Sequence, residues 1–311
     1  MSAILITGIG GDIGQCVATI VRETVGGTRR LIGCDTHEQH GGSLYVDAFQ
    51  RVPAARDKGY LEALMSLIEA QSVTTVIPMT EPELELLGGV IAGGSAIAWI
   101  TPGAKAIAAG IDKLATAQTL TAAGIPMPWT DRADAGPPRT YPCIVKSRRG
   151  SGSRSVHKAH TPSEADYFAQ RDPEAIYQEY LEPDDREVTC AVYRARDGRI
   201  AVLQLLRRLV GGFTGWARVI RVDTVDSMCR RAAEALDLRG SMNVQLRLTA
   251  DGPRIFEINP RFSSTVLMRH RIGFSDVVWT LDELAGRAIE FPTPREGTIV
   301  VRTQGAAIVH R

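Results

Sequence analysis

Over its first hundred residues the chain alternates short apolar runs with segments of helical period, a pattern that few architectures accommodate. "AILITGI" is a continuous apolar run suited to a strand buried on both faces. A helix is expected from about Ile13 to Val25, followed by the strand "RLIGCD". Leu61, Leu64, Met65 and Ile68 recur at i, i+3, i+4 and i+7, one face of a second helix. The strand "VTTVIPM", a helix from about Pro82 and the strand "AIAWIT" complete the series. Strands alternating with helices require a parallel sheet covered on both sides, because each crossover helix must bury its apolar stripe against that sheet.

This Rossmann-like unit opens with "LITGIGGDIGQ", where an apolar run breaks into Gly8, Gly10, Gly11 and Gly14. A dinucleotide fingerprint needs G-x-G-x-x-G, so that backbone amides and the helix N-terminus meet the pyrophosphate. The spacing here is G-x-x-G-x-x-G, which resembles the extended short-chain dehydrogenases, and Asp35 ends the second strand where a ribose-binding acid would stand. That family also needs a Tyr-x-x-x-Lys pair, in which lysine lowers the tyrosine pKa for proton transfer. None of the seven tyrosines has a lysine four residues later. The competing reading is a structural turn that lets strand and helix pack closely. The rest of the chain decides between them.

From about residue 102 the pattern changes. "IDKLATAQTLTAAGIPMP" reads as a helix starting near Asp112 and stopped by Gly124 and Pro126, and "ADAGPPRTYP" is a Pro/Gly-rich loop or boundary. The strands "PCIVKS" and "SRSVHKA" flank the loop "RRGSG", and a helix near 163–170 leads to the strand "AIYQEYL". Two hairpins follow, one turning at Asp197-Gly198 and one near Asp251-Gly252. Helices at about 225–238 and 276–287 accompany them. The second part is therefore α+β with antiparallel sheets, and the expected domains are 1–101, 102–181 and 182–311.

With 311 residues the chain can bury a large core and form two or three units. A net charge of +1 and the lack of a basic block argue against nucleic acid or a membrane surface as the main partner. No apolar run approaches the ~20 residues of a membrane span. No signal peptide is recognisable. The five cysteines are scattered and never spaced as a metal or redox pair, so reduced thiols and a cytoplasmic location are expected.

Chemistry-bearing residues concentrate in "NVQLRLTADGPRIFEINPR". Glu257 and Asn259 are two apart on a strand and share one face. A short turn centred on Asp251 would place Gln245 across from Glu257 on that same face. Carboxylate and amide oxygens gathered there suit a hard cation such as Mg²⁺, and Arg261 could grip a phosphoryl group with its planar fork. A merely solvated polar face is the simpler alternative. In "CIVKSRRGSGSRSV", Lys146 ends an apolar strand ahead of a Gly150–Ser153 loop whose backbone amides could cover phosphates. It is not a P-loop, since the G-K-[ST] ending is absent. "YQEYLEPDDREVTCAVY" adds Glu179, Tyr180 and Leu181 at a strand end and Glu187 at the start of the next strand. His157 and His160 read as solvent-facing. Arg207, Arg208 and Arg218 flank the glycine-rich loop "VGGFTGW", as part of an acceptor pocket or as surface charge.

Together these stretches resemble the ATP-grasp superfamily over nearly the whole chain, and within it the synthetase halves of the carbamoyl-phosphate synthetase large subunit and related carboxylate–amine ligases. The resemblance implies a preATP-grasp domain, whose glycine turn binds no NAD and helps wall the acceptor site, ahead of a two-lobed ATP-grasp fold. It implies that Lys113 and Lys146 bind ATP phosphates and that Gly150, Ser151, Gly152 and Ser153 belong to a mobile flap. Adenine would sit on the backbone around Glu179, Tyr180 and Leu181, and Glu187 would take the ribose. Gln245, Glu257 and Asn259 would hold Mg²⁺ or Mn²⁺, and Arg261 would lie by the transferred phosphate. The implied reaction joins a small carboxylate to an amine through an acyl phosphate, releasing ADP. A homodimer is the default assembly. The alternatives are an NAD-dependent oxidoreductase, an ATP-binding module without catalysis, and a synthetase acting on bicarbonate or a similar small acid.

Overall fold

The computed structural model describes residues 2–92, 96–150, 156–303, 305 and 307. The first module contains β1 (Ala3–Ile6), α1 (Asp12–Val25), β2 (Arg30–Asp35), β3 (Ala48–Arg51), α2 (Tyr60–Ala70), β4 (Val73–Ile77), α3 (Glu81–Ala92) and β5 (Ala98–Trp99). Its five strands form a parallel sheet in the order β3-β2-β1-β4-β5. Every residue of β1 is buried, as the continuous apolar run requires for a central strand covered on both faces. Helix α2 turns Tyr60, Leu64, Leu67 and Ile68 inward and leaves Met65 38% exposed. The buried stripe is therefore shifted by about one residue from the predicted face, because Tyr60 anchors the first turn.

Helices α4 (Ala104–Gly110) and α5 (Lys113–Ala122) connect to a four-stranded antiparallel sheet. That sheet is built from β6 (Thr130–Arg132), β7 (Cys143–Ser147), β8 (Val156–Ala159) and β9 (Ala175–Glu179), in the order β6-β9-β7-β8, with α6 (Pro162–Ala169) between β8 and β9. His157 stacks on Phe168 and His160 is exposed.

The last module contains β10 (Glu187–Arg194), β11 (Ile200–Val210), β12 (Phe213–Ile220), α7 (Asp223–Ala235), β13 (Gly240–Thr249), β14 (Gly252–Asn259), α8 (Val266–Arg271), α9 (Asp276–Leu284) and β15 (Ile299–Val301). Its antiparallel sheet runs β14-β13-β10-β11-β12-β15. One face carries Val188, Cys190, Val192, Val244 and Leu246, which pack on Val225, Met228, Cys229 and Ala232 of α7. Alternation therefore sends Glu187, Thr189, Gln245 and Asn243 to the opposite face. The stretch expected to be a glycine loop at 210–216 is a tight hairpin instead. Gly211 and Gly212 take φ of +59° and +84° and Val210 pairs with Phe213, so two left-handed residues make the turn and the strand resumes at once.

The β13–β14 hairpin also differs in detail from its expected form. Thr249 pairs with Gly252, so the turn centres between Ala250 and Asp251, which alone would set Gln245 opposite Phe256. An irregularity after Gln245 leaves Phe256 out of the ladder and restores the pairing of Gln245 with Glu257. Helices α8 and α9 fold back onto the first module, where Phe262, Val266, Val277 and Leu281 join Ile4, Ile6, Val17 and Val21 in one apolar cluster.

Candidate functional site

The four-stranded and six-stranded sheets meet through a line of charged side chains, and Lys146 stands at its centre. Its ammonium, at the end of β7, is 5% exposed and donates to Gln178 Oε1 of β9 at 2.8 Å. It also reaches the carbonyl of Phe256 at 3.5 Å, the residue displaced from the β13–β14 ladder. Burial lowers the Lys146 pKa to about 8, against the opposing pull of Glu257. The lysine of one lobe thus lies beside the oxygen donors of the other.

Those donors converge. Gln245 pairs with Glu257, Asn243 pairs with Asn259, and Asn259 Nδ2 lies 3.4 Å from Glu257 Oε1. Arg261 joins them, donating from Nη2 to Asn259 Oδ1 and to Glu81 Oε1, both at 3.2 Å. Glu257 brings the one carboxylate of the expected trio, and among the described residues no group of three His, Cys, Asp or Glu side chains is placed to hold a metal ion. The oxygens these side chains carry match Mg²⁺ better than a softer metal, but Gln245 Oε1 and Asn259 Oδ1 are here held by Arg207 and Arg261.

Gln245 is less free than expected. Its Oε1 accepts from Arg207 Nη2 at 2.9 Å, and the same guanidinium grips Glu187 Oε1 at 2.5 Å and 2.9 Å. Arg207 is 9% exposed and belongs to this site, whereas Arg208 and Arg218 lie on the surface. Glu187 is further held by Arg247 Nη2 at 2.9 Å, and Arg247 Nη1 donates to the Leu181 carbonyl at 2.8 Å. Nearby, the Glu179 carboxylate is bound by Arg254 at 2.8 Å and by the Trp129 amide at 3.2 Å. Tyr180 directs its hydroxyl to Asp184 and its ring to Lys158. The side chains of Glu179 and Tyr180 are therefore engaged with protein groups, and so is the Glu179 amide, which donates to the Trp129 carbonyl at 2.9 Å.

Lys113 opens α5. Asp112 caps that helix through the amides of Leu114 and Ala115 and also holds Arg148 at 2.5 Å. Burial works against the Asp112 carboxylate, yet Arg148 and the cap amide prevail and keep it below the usual carboxylate range. Lys113 Nζ donates to the Gly150 carbonyl at 2.6 Å, which brings it to the start of the glycine loop. Ser151, Gly152 and Ser153 lie outside the described residues.

The glycine turn after β1 has a packing explanation. A Cβ on Gly14 would lie 2.6 Å from the Gly8 carbonyl oxygen, so α1 sits against the turn only because that position lacks a side chain. Asp35 accepts from the Gly10 amide at 2.8 Å and braces the turn. Nothing in this arrangement favours the dehydrogenase alternative.

Arg247, Arg254 and Gln178 were not foreseen. Arg207 carried a signal, since a hairpin centred on Asp197 sets it opposite Glu187. Glu81 had only its position shortly after a parallel strand, at the start of the next helix. A larger cavity, about 410 Å³, opens away from this cleft between β11, β12 and residues 291–294.

A parallel-sheet domain followed by two antiparallel sheets, meeting at a lysine and a cluster of polar side chains, defines a two-lobed α/β architecture with a cleft between its sheets. Residues 111–265 match the ATP-grasp domain and residues 4–92 match the PylC-like N-terminal domain. The chain belongs to the ATP-grasp superfamily. It is similar to the D-alanine–D-alanine ligases of Mycobacterium leprae (27% identity, 54% of this chain and 53% of the relative) and Oleidesulfovibrio alaskensis (28% identity, 60% and 68%). The chain thus spans about half the length of the Mycobacterium leprae relative. In fold it resembles N5-carboxyaminoimidazole synthetase from Staphylococcus aureus complexed with ADP, with a TM-score of 0.75, 17% identity, and 96% and 80% of the two chains covered. L-amino acid ligase from Bacillus licheniformis gives a TM-score of 0.68 at 15% identity, covering 88% and 70%. No helix among the described residues is long and apolar enough to cross a membrane.

Proposed function

We propose that this chain is an ATP-dependent carboxylate–amine ligase. A substrate carboxylate attacks the γ-phosphate of ATP in line, breaking the bond between the β,γ-bridging oxygen and the γ-phosphorus and releasing ADP. The amine nitrogen then attacks the acyl carbon, phosphate leaves, and the amine proton passes to solvent or phosphate. The observation that carries this reading is the meeting of Lys146 with the Glu257, Asn259 and Arg261 cluster across the two lobes. Carboxylate and triphosphate repel each other, so fixed positive charge is what the first step needs.

In this reading Lys146 and Lys113 bind phosphate oxygens and Arg261 faces the transferred phosphoryl group. The backbone of residues 179–181 receives adenine, Glu187 the ribose, and Gly150, at the start of the glycine loop, lies by the phosphates. Glu257, with the amide oxygens of Gln245 and Asn259, would hold Mg²⁺ or Mn²⁺, which supplies charge neutralisation at the phosphates when bound. For Asn259 this calls for a half-turn of its amide, whose nitrogen now faces Glu257 and whose oxygen now accepts from Arg261, and for Gln245 it calls for freeing Oε1 from the Arg207 guanidinium. The substrates are a small carboxylate and an amine, in keeping with the relatives' names.

The test is ADP release in the presence of candidate acids and amines, comparing the native chain with Glu257→Gln. Loss of one transition-state electrostatic contact typically lowers turnover about a hundredfold or more. Equal rates for the two proteins would sink the assignment.

A further inference from the structure

Two of the three side chains expected to hold the metal already serve another cation. Gln245 Oε1 accepts from Arg207 Nη2 at 2.9 Å, and Asn259 Oδ1 accepts from Arg261 Nη2 at 3.2 Å. Both guanidiniums are largely withdrawn from water, with side-chain exposures of 8% and 11%. Each is also anchored elsewhere. Arg207 grips Glu187 through Nε and Nη2, and Arg261 Nη1 donates to the Phe262 carbonyl at 3.2 Å. The two amide oxygens are therefore held by fixed, buried donors and not by passing surface contacts.

The charges point the same way. Glu187 is matched by Arg207 and Arg247, Glu81 by Arg261, and Glu257 by the attraction of the Lys146 ammonium. Within the trio only Glu257 is anionic. A bare divalent cation would have to take the lone pairs that the guanidiniums use. It would then lie close to two positive charges in a poorly hydrated site, where their repulsion is weakly screened. Phosphate oxygens reverse that balance. They are anionic and can bind a guanidinium on two oxygens at once, and they are ligands that Mg²⁺ ordinarily takes from its nucleotide.

We propose that Arg207 and Arg261 gate the metal site: the trio does not take a free divalent cation, and the cation enters only with a nucleotide whose phosphate oxygens draw the two guanidiniums off Gln245 and Asn259. Little movement is needed. Arg207 keeps Glu187 through Nε while Nη2 turns from Gln245, and a cavity of about 220 Å³ beside Arg261 gives its guanidinium room to leave Asn259. The ligand set is thus assembled by the nucleotide. The gate rests on the ligase reading above for the place of the phosphates.

The experiment uses the purified chain, with Mn²⁺ as a paramagnetic probe of the site. Calorimetry with Mg·ADP reads the nucleotide site. Electron paramagnetic resonance of free Mn²⁺ reads metal binding to the protein alone and to the protein with ADP, each against protein-free solution. The native chain is expected to bind Mn²⁺ alone at least tenfold more weakly than with ADP. Arg207→Met keeps the bulk and loses the donor. It should bind Mn²⁺ alone about tenfold or more tightly than the native chain, the equivalent of one charge-assisted hydrogen bond. Adding Gln245→Leu should abolish that gain, and Arg208→Met, which removes the same charge from an exposed neighbour, should give none. Arg261→Met, which frees Asn259, should gain likewise and decides the matter if Arg207→Met does not fold. With Mg·ADP bound, three results overturn the gate and leave the ligase reading standing. They are native binding of Mn²⁺ alone as tight as with ADP, no gain in the folded arginine variant, or a gain that survives Gln245→Leu. Failure of Mg·ADP to bind overturns both.

Discussion

The guanidinium of Arg207 bridges Glu187, at 2.5 Å, and Gln245 Oε1, at 2.9 Å, joining three strands of the six-stranded sheet. With side-chain exposures of 8% and 16%, Arg207 and Glu187 form a largely dehydrated ion pair. Arg207→Ala removes the donor that orients Gln245 and one of the two arginines on Glu187. The expected loss is about 1–3 kcal/mol, below the usual cost of stranding a buried charge because Arg247 still holds Glu187. Calorimetric unfolding should show a midpoint lower by several degrees. Arg207→Lys should recover only part, since one ammonium cannot fork to both partners.

Nucleotide affinity should depend on pH through Lys146. Its pKa of about 8 in the free protein means that the ammonium is present below that value and lost above it. Phosphate oxygens favour the charged form. Affinity for ADP should therefore be full near pH 7 and fall as pH rises through about 8, by up to about tenfold per unit until the bound-state pKa is reached. Lys146→Arg should flatten the decline, because arginine stays charged. An unchanged slope in that variant, measured by calorimetry between pH 7 and 9.5, would contradict the role given to Lys146.

Gly14→Ala should destabilise the first module without touching any charged group. The added methyl would meet the Gly8 carbonyl at 2.6 Å, and a backbone atom cannot swing aside as a long side chain can. Overpacking of this kind typically costs about 1–3 kcal/mol. A denaturant midpoint equal to that of the native chain would show that the turn has slack.

Arg269 and Asp276 pair at 2.6 Å with both side chains 1% exposed, and Ser241, Ser263 and Thr265 complete their hydrogen bonds. Arg269→Ala should cost about 3–5 kcal/mol, since it leaves the Asp276 carboxylate without its cation. Chemical denaturation monitored by tryptophan fluorescence is a suitable readout, because Trp279 lies in the same helix as Asp276.

Local periodicity made most of the fold legible. The parallel module, the β7–β9 lobe and the β13–β14 hairpin all announce themselves through apolar spacing and turn residues. The pairing of Gln245 with Glu257 was foreseen by a different route from the one the chain takes. The turn lies half a residue earlier than expected, and the displaced Phe256 restores the register. Such an irregularity depends on what the strand packs against, here Lys146, and leaves no mark in a hydropathy pattern. Short elements such as α4, α8 and β15 escaped because one or two helical turns, or three strand residues, carry too little periodicity to register. The contact between Glu81 and Arg261 joins positions 180 residues apart, a distance over which spacing says nothing.

The return of α8 and α9 onto α1 has a consequence for biogenesis. The first module leaves the ribosome well before Phe262, Val266, Val277 and Leu281 are translated, yet those residues complete its apolar cluster with Ile4 and Val17. A nascent chain of the first hundred residues would carry an uncovered greasy flank, prone to chaperone capture. Its final compaction must await the last fifth of the polypeptide.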